Sequence, residues 1–549
     1  MTKTEKWIAG GLIALWALLY LPGLRTSPNW YGDEGEWMEK SWTFIHGTPR
    51  VGPVTDDFVF PYPYPPLYMV VNGVLLRVFG NDIVVGRALG AVTALAAAGI
   101  LFWMGCRLRD RTFGVLCAAA FLVYAESVMN FRWVRSHPMA GTLALASCGF
   151  LVRYVQEKRL RDALLAGAMC SLATATNYFA YPLIGAVGVT ALVANRRQWW
   201  HAVAACAVAG SYGVLFVAWY SATRGWGHLM SQVQLLTSVA GNEMAPTAWG
   251  EVMRFAKNVW TLGFKTPTQM GPRGWQGRDW WLWIATSGML WLPVTRNKWL
   301  RLALPVWALV LMYGVFKKLN NVPLFFYPAT MFLPLLAIGF AGVMTWAGEA
   351  VKRLGAPGGR ALPGILACAY FGWASLNGAL DRFESKIDMW SQQSPAEAEA
   401  AMAFVNANTT SDDFVMVPKQ IYWLVKNAKK SMLTFSPRYE GIVNDMPTAV
   451  LERHDAYWFD CRWQNAKYLV LASGVTASGQ PRGIDLIYAR GLKGVQEVMD
   501  GMIQEKWPVV FSGGHQVALA DVGQGKRWPV VVGGEYLVMA NPQFMKGAN

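Results

Sequence analysis

The chain has 549 residues, of which 54% are hydrophobic and only 15% charged, and it carries a net charge of +15. A soluble domain ordinarily has about 25% charged residues, so composition argues against a water-soluble core. The excess base lies in short loops between apolar runs. That is the positive-inside pattern, not the basic face with stacking aromatics that nucleic-acid binding needs.

The chain opens on "MTKTEKWIAGGLIALWALLYLPGL", a basic flank followed by an apolar run. No small-x-small cleavage site follows, which predicts a retained signal-anchor helix. Apolar runs then predict spans near 7–24, 88–106, 114–131, 137–155, 163–177, 178–194, 200–220, 279–294, 301–316, 323–346 and 361–379. This is a multi-pass α-helical membrane domain of about eleven transmembrane helices over residues 1–380. The first outer loop, 25–87, ends in "FPYPYPPLYMVVNGVLLRVFG". Only about 14 apolar residues follow its prolines, too few for a bilayer of ~30 Å. We therefore expect a helix lying in the interface.

Loop charge sets the orientation. "RLRDR" (107–111), "QEKRLRD" (156–162), "NRRQ" (195–198), "TRNKWLR" (295–301) and "EAVKRLGAPGGR" (349–360) are all basic. They alternate with less basic loops, so they fall on the cytoplasmic side with the N-terminus. The other face then holds 25–87, 132–137, the long loop 221–278, 317–322 and the tail. The 28 Trp fit aromatic belts at the two interfaces.

The tail, 385–549, alternates strand-like runs ("KYLVLA", "IDLIYA", "WPVVFSG", "YLVMA") with helix-like ones ("SPAEAEAAMAFVNAN", "GVQEVMDGMIQEKW"). It predicts a small extracytoplasmic α/β domain. Seven Cys, six of them in or beside apolar runs, suggest neither a disulfide framework nor a CxxC metal site.

The candidate chemistry starts at "NWYGDEGEWMEKSW", residues 29–42, directly after the first span. It places Asp33, Glu34, Glu36 and Glu39 together in a basic protein. The order is one span, an Asp-Glu pair, "YPPLY" ending in Phe-Gly, "FRWVRSHP", "KKLNNVPLFFYP" and a closing domain. This resembles the GT-C membrane glycosyltransferases, in particular the family-39-like group that includes protein O-mannosyltransferases and lipid A aminoarabinose transferases. The resemblance covers residues 1–380 in architecture.

It implies an inverting transfer of sugar from a polyprenyl-phosphate donor to a lipid, glycan or protein acceptor, at the outer face of a bacterial or archaeal-type cytoplasmic membrane. On this resemblance Asp33 is the catalytic base and Glu34 its positioning neighbour. Glu36 would share a helix face with Asp33, and Glu36 and Glu39 are otherwise expected on a solvated face.

Two positions depart from the family pattern. Tyr64 stands where relatives have a phosphate-binding Lys, and it supplies a hydrogen bond but no charge. His137, after Arg135, stands where relatives often have Asp. No cofactor is obligatory on this reading and a divalent metal is not favoured, because one carboxylate pair and one His make a thin site for a hard cation. The phosphate charge then falls to Arg135, with Arg132 beside it, and to Lys317 and Lys318, which sit outside against the charge rule. Asn177 and Tyr178 between two spans, and His228, Glu243 and Lys265 in the long loop, are weaker candidates.

Other classes stay open. A transporter would show ionisable residues at mid-span, and here they collect at one face. An oligosaccharide transferase or lipid-linked glycan extender would use the same residues on a different acceptor. A non-catalytic envelope-assembly protein would place its function in the tail.

Overall fold

The computed structural model describes residues 3–26, 32–47, 65–227, 229–230, 249–250, 253–254, 257, 280–291, 295–316, 328–355, 359–380, 395–433, 436, 459–475, 481–482, 493–523 and 526–545. The chain forms two compact units. The first comprises residues 1–24, 63–68 and 87–382; the second comprises 25–62, 69–86 and 383–549.

The helices begin with α1 (Lys3–Tyr20), α2 (Gly32–His46), α3 (Leu67–Phe79), α4 (Ile83–Leu108), α5 (Arg111–Leu122), α6 (Ala125–Asn130) and α7 (Ser136–Glu157). They continue with α8 (Leu160–Thr176), α9 (Pro182–Ala194), α10 (Trp200–Arg224), α11 (Trp280–Trp291), α12 (Lys298–Phe316), α13 (Leu333–Arg353) and α14 (Leu362–Leu380). Among the described residues, five stretches, Ile83–Leu108, Ser136–Glu157, Trp200–Ala222, Lys298–Val315 and Leu333–Arg353, are long and apolar enough to cross a membrane. Shorter apolar helices accompany them. The α3 helix has 13 residues; at about 1.5 Å rise each it falls well short of a bilayer.

Small residues set the packing of the first unit. A Cβ on Gly288 of α11 would lie 2.0 Å from the Gly339 carbonyl of α13, so the two backbones touch where no side chain fits. Three of the basic loops meet through salt bridges. Arg107 pairs with Glu157 at 2.6 Å, while Glu349 takes Arg360 at 3.2 Å and Arg109 at 3.7 Å. These contacts join loops 107–111, 156–162 and 349–360, which the charge rule assigns to one side.

One expected span is interrupted. Residues 114–131 were predicted as a single helix, but α5 ends at Leu122 and α6 starts at Ala125. Tyr124 turns extended (φ −76°, ψ 123°) and stacks on Trp281 with ring centroids 3.9 Å apart. The Val123 carbonyl at the break accepts a hydrogen bond from the Ser375 hydroxyl of α14. Apolar content alone could not display this, because the break is stabilised by a partner helix that satisfies the freed backbone group.

The second unit holds α2, most of α3 and the tail. The tail adds α15 (Pro395–Ala407), α16 (Lys493–Gln504), α17 (Pro542–Met545) and nine described strands. These are β1 (Phe414–Met416), β2 (Lys429–Ser431), β3 (Tyr468–Ala472), β4 (Gly474–Val475), β5 (Pro481–Arg482), β6 (Val509–Phe511), β7 (Gln516–Gly523), β8 (Lys526–Val532) and β9 (Tyr536–Ala540). One sheet runs β2-β1-β3-β9-β6; β1 is parallel to β2 and β3, and β9 is antiparallel to β3 and β6. The other runs β5-β4-β8-β7. The α16 helix buries Val495, Val498, Met499 and Met502, the i, i+3, i+4, i+7 stripe of an amphipathic helix. The expected strand "IDLIYA" lies outside the described residues.

Candidate active site

The acidic segment is the helix α2, with Asp33 and Glu34 in its first turn, where the helix dipole favours negative charge. Its partners come from the tail, in a 3₁₀ segment, Lys419–Leu424, and in β2. A Cβ on Gly35 would lie 2.1 Å from the Lys419 carbonyl, so only glycine lets the first turn of α2 meet this segment. Gly73 of α3 makes a similar approach, its Cβ position 2.3 Å from the Ser41 carbonyl.

This contact places a lysine between two carboxylates. Lys419 Nζ lies 2.6 Å from Asp33 Oδ1 and 3.4 Å from Glu36 Oε2. Lys40 Nζ takes the other Glu36 oxygen at 2.6 Å, one helical turn on. Burial pushes the Glu36 carboxyl up, but Lys40 and Lys419 outweigh it and hold it below the usual carboxylate range, against a smaller upward push from Asp33. Asp33, Glu36 and Lys419 each keep about a quarter of the side chain exposed, and Glu34 is fully buried.

The solvated face expected for Glu36 and Glu39 is not what forms. Glu39 pairs with Lys430 Nζ at 2.8 Å, and neither side chain reaches solvent. Lys430 also donates to the Tyr422 carbonyl at 2.8 Å and the Val425 carbonyl at 3.3 Å. Arg25 extends the pattern, pairing with Asp82 and with Glu399 of α15, each at 2.7 Å. Asn81 donates to the Trp423 carbonyl at 3.3 Å. The first long loop and the tail therefore share one unit through paired charges. Lys419 and Lys430 carry no local mark in the sequence: they lie 386 residues from Asp33 and 391 residues from Glu39, respectively.

In the first unit, Arg135 immediately precedes α7 and His137 sits in its first turn, both buried. The Arg135 guanidinium lies 5.9 Å from the Trp133 ring centroid, and His137 tilts against Phe179 at 5.4 Å. Arg132 is fully buried and donates to the Pro22 carbonyl. Burial and the neighbouring Arg87 pull it down to about 10. Asn177 caps the short turn after α8, accepting from the Phe179 N–H at 3.0 Å and donating to Ser136 Oγ at 2.9 Å, which gives it a structural job. Tyr178 follows it in that turn, half-buried, with its ring 4.6 Å from Phe179. Tyr64, Lys317, Lys318, His228, Glu243 and Lys265 lie outside the described residues.

No protein-family profile matches the sequence, and no curated protein matches it. Solved structures do. ArnT from Cupriavidus metallidurans bound to undecaprenyl phosphate aligns with a TM-score of 0.55 at 12% identity, covering 98% of each chain. Its apo form aligns with a TM-score of 0.55 at 14% identity. An Archaeoglobus fulgidus oligosaccharyltransferase in complex with zinc and sulfate aligns with a TM-score of 0.53 at 10% identity, over 93% of this chain and 79% of that one. The chain has the GT-C fold. With its apolar helices, the GT-C fold makes it an integral membrane protein. Among the described residues of this GT-C chain, no three His, Cys, Asp or Glu side chains group to hold a metal. The carboxylates of Asp33 and Glu36 instead share an ammonium.

Proposed function

We propose that the chain is an inverting glycosyltransferase that moves a sugar from a polyprenyl-phosphate donor to an acceptor hydroxyl at the outer face of the membrane. The single observation that carries this is a partly exposed carboxylate, Asp33, held in the first turn of α2 within a GT-C fold. ArnT bound to undecaprenyl phosphate supports a lipid-phosphate donor. We take eleven spans, with the basic loops and the N-terminus cytoplasmic and residues 25–87 and 385–549 outside; the salt bridges that join three of those loops support placing the three on one side.

The acceptor oxygen attacks the anomeric carbon as the bond to the lipid phosphate oxygen breaks. The phosphate leaves with the bonding pair, and Asp33 takes the hydroxyl proton. One displacement inverts the anomeric centre. Glu34 positions Asp33. Arg135 and His137, with Tyr64, Lys317 and Lys318, supply donors and charge for the departing phosphate.

The deciding experiment is transfer in vitro by the purified protein with a panel of polyprenyl-phosphate sugars, wild type against Asp33→Asn. Product should form with wild type and fall about 10²- to 10⁴-fold in the variant. Undiminished transfer by Asp33→Asn removes Asp33 as base. Substrate flux across vesicles without glycosyl product replaces the enzyme with a transporter. The oligosaccharyltransferase match favours one further reading, a lipid-linked oligosaccharide donor, so the panel includes such donors.

A further inference from the structure

Two carboxylates three residues apart at one helix end repel each other, and a shared site for two acids needs a cation. Commonly that cation is a divalent metal, which takes carboxylate oxygens at about 2.0–2.6 Å. Here the place is taken by Lys419, 2.6 Å from Asp33 Oδ1 and 3.4 Å from Glu36 Oε2. Its position is built in, because the Lys419 carbonyl is pressed against Gly35 between the two acids. The second Glu36 oxygen is taken by Lys40, whose side chain is almost wholly buried. A divalent ion added here would meet both ammonium groups, so these residues do not fit a metal.

We propose that Lys419 is the resident cation of the acidic site, a positioning residue that fixes Asp33 and Glu36 in the way a divalent metal fixes paired carboxylates. Its catalytic consequence rests on Asp33 being the base; its cation role does not. The lysine's single charge holds the carboxylates together without chelation, so the geometry at Asp33 does not vary with metal supply.

The test uses the full-length protein in detergent, as wild type, Glu36→Gln, Lys419→Ser, Lys419→Arg and Lys419→Ser/Glu36→Gln. Mn²⁺ binding is followed by the electron-spin signal of the free ion, and transfer is measured with and without chelator. Wild type should bind no Mn²⁺ that Glu36→Gln abolishes, and its rate should ignore chelator. Lys419→Ser should gain a Mn²⁺ site that the double variant loses. Its kcat should fall about 10- to 100-fold, as for other supports of a reacting group, with KM for the lipid donor unchanged. Mn²⁺ should restore part of that rate, and Lys419→Arg should keep most of it.

A wild type that loses activity in chelator and regains it with Mn²⁺ overturns the proposal. So does a folded Lys419→Ser that neither binds Mn²⁺ nor loses kcat. If Lys419→Ser fails to fold, the wild-type chelator and Mn²⁺ measurements with Lys419→Arg still decide. If wild type transfers no sugar from any donor, the proposed function fails while the Mn²⁺ comparison still judges Lys419.

Discussion

Lys430 of the tail and Glu39 of the first long loop close an ion pair at 2.8 Å with neither side chain exposed, although 391 residues separate them. Such a pair contributes little over a well-packed apolar one, but leaving one partner alone is expensive. Lys430→Met should therefore destabilise the second unit by about 3–5 kcal/mol, and Lys430→Met/Glu39→Leu should recover most of that loss. Thermal unfolding or limited proteolysis of the purified protein reads both.

Gly35 has no room for a methyl group against the Lys419 carbonyl. Gly35→Ala should push α2 off the 3₁₀ segment and cost roughly 1–3 kcal/mol, the usual range for overpacking. Gly11→Ala in α1, where a Cβ meets nothing within 4 Å, is the control and should leave stability unchanged or slightly raised. Equal melting temperatures for the two variants would contradict the contact.

Glu36 gives a pH dependence with a definite sign. Its folded carboxyl lies below the ordinary 4.5. Its stabilisation is thus fully present above about 4.5 and is lost as pH falls through the lower folded value. Groups facing it are Lys40, Lys419 and Asp33. Unfolding followed from pH 7 to 3 should show an acid loss that is smaller in Glu36→Gln. A variant curve parallel to wild type would count against the pairing.

Topology yields a cysteine-accessibility test. Single cysteines placed at the exposed positions Asp110 and Thr26, in a background lacking the seven native cysteines, should label only from the cytoplasmic and only from the outer side, respectively. Labelling of position 110 from outside would invert the membrane domain.

Much of the helical part was visible in sequence, because a bilayer imposes length and apolarity on each segment separately. In the tail, the "KYLVLA" and "YLVMA" runs form the adjacent strands β3 and β9, and "SPAEAEAAMAFVNAN" forms α15. What sequence did not display was set by distant partners. The helix over 114–131 breaks because Ser375 and Trp281 are there to satisfy it. Glu39 is buried because Lys430 meets it, and Gly35 in "GDEGEW" is explained only by the Lys419 carbonyl. A charge in a loop looks solvated until the chain that neutralises it is known. The resemblance marks Asp33 as a candidate base; Lys419, its ion-pair partner 386 residues away, carries no such mark.

The docking of α2 on the tail also bears on biogenesis. Asp33 leaves the ribosome early, whereas Lys419 follows 386 residues later. At about 5–20 residues per second, the acidic helix waits on the order of a minute for its partner while the intervening spans insert. A nascent or truncated chain would thus carry Asp33 and Glu39 without Lys419 and Lys430, with Lys40 alone beside Glu36. The ion-paired cluster is completed only after Lys419 and Lys430 have been made, which ties the assembly of α2 with the tail to a late stage of synthesis.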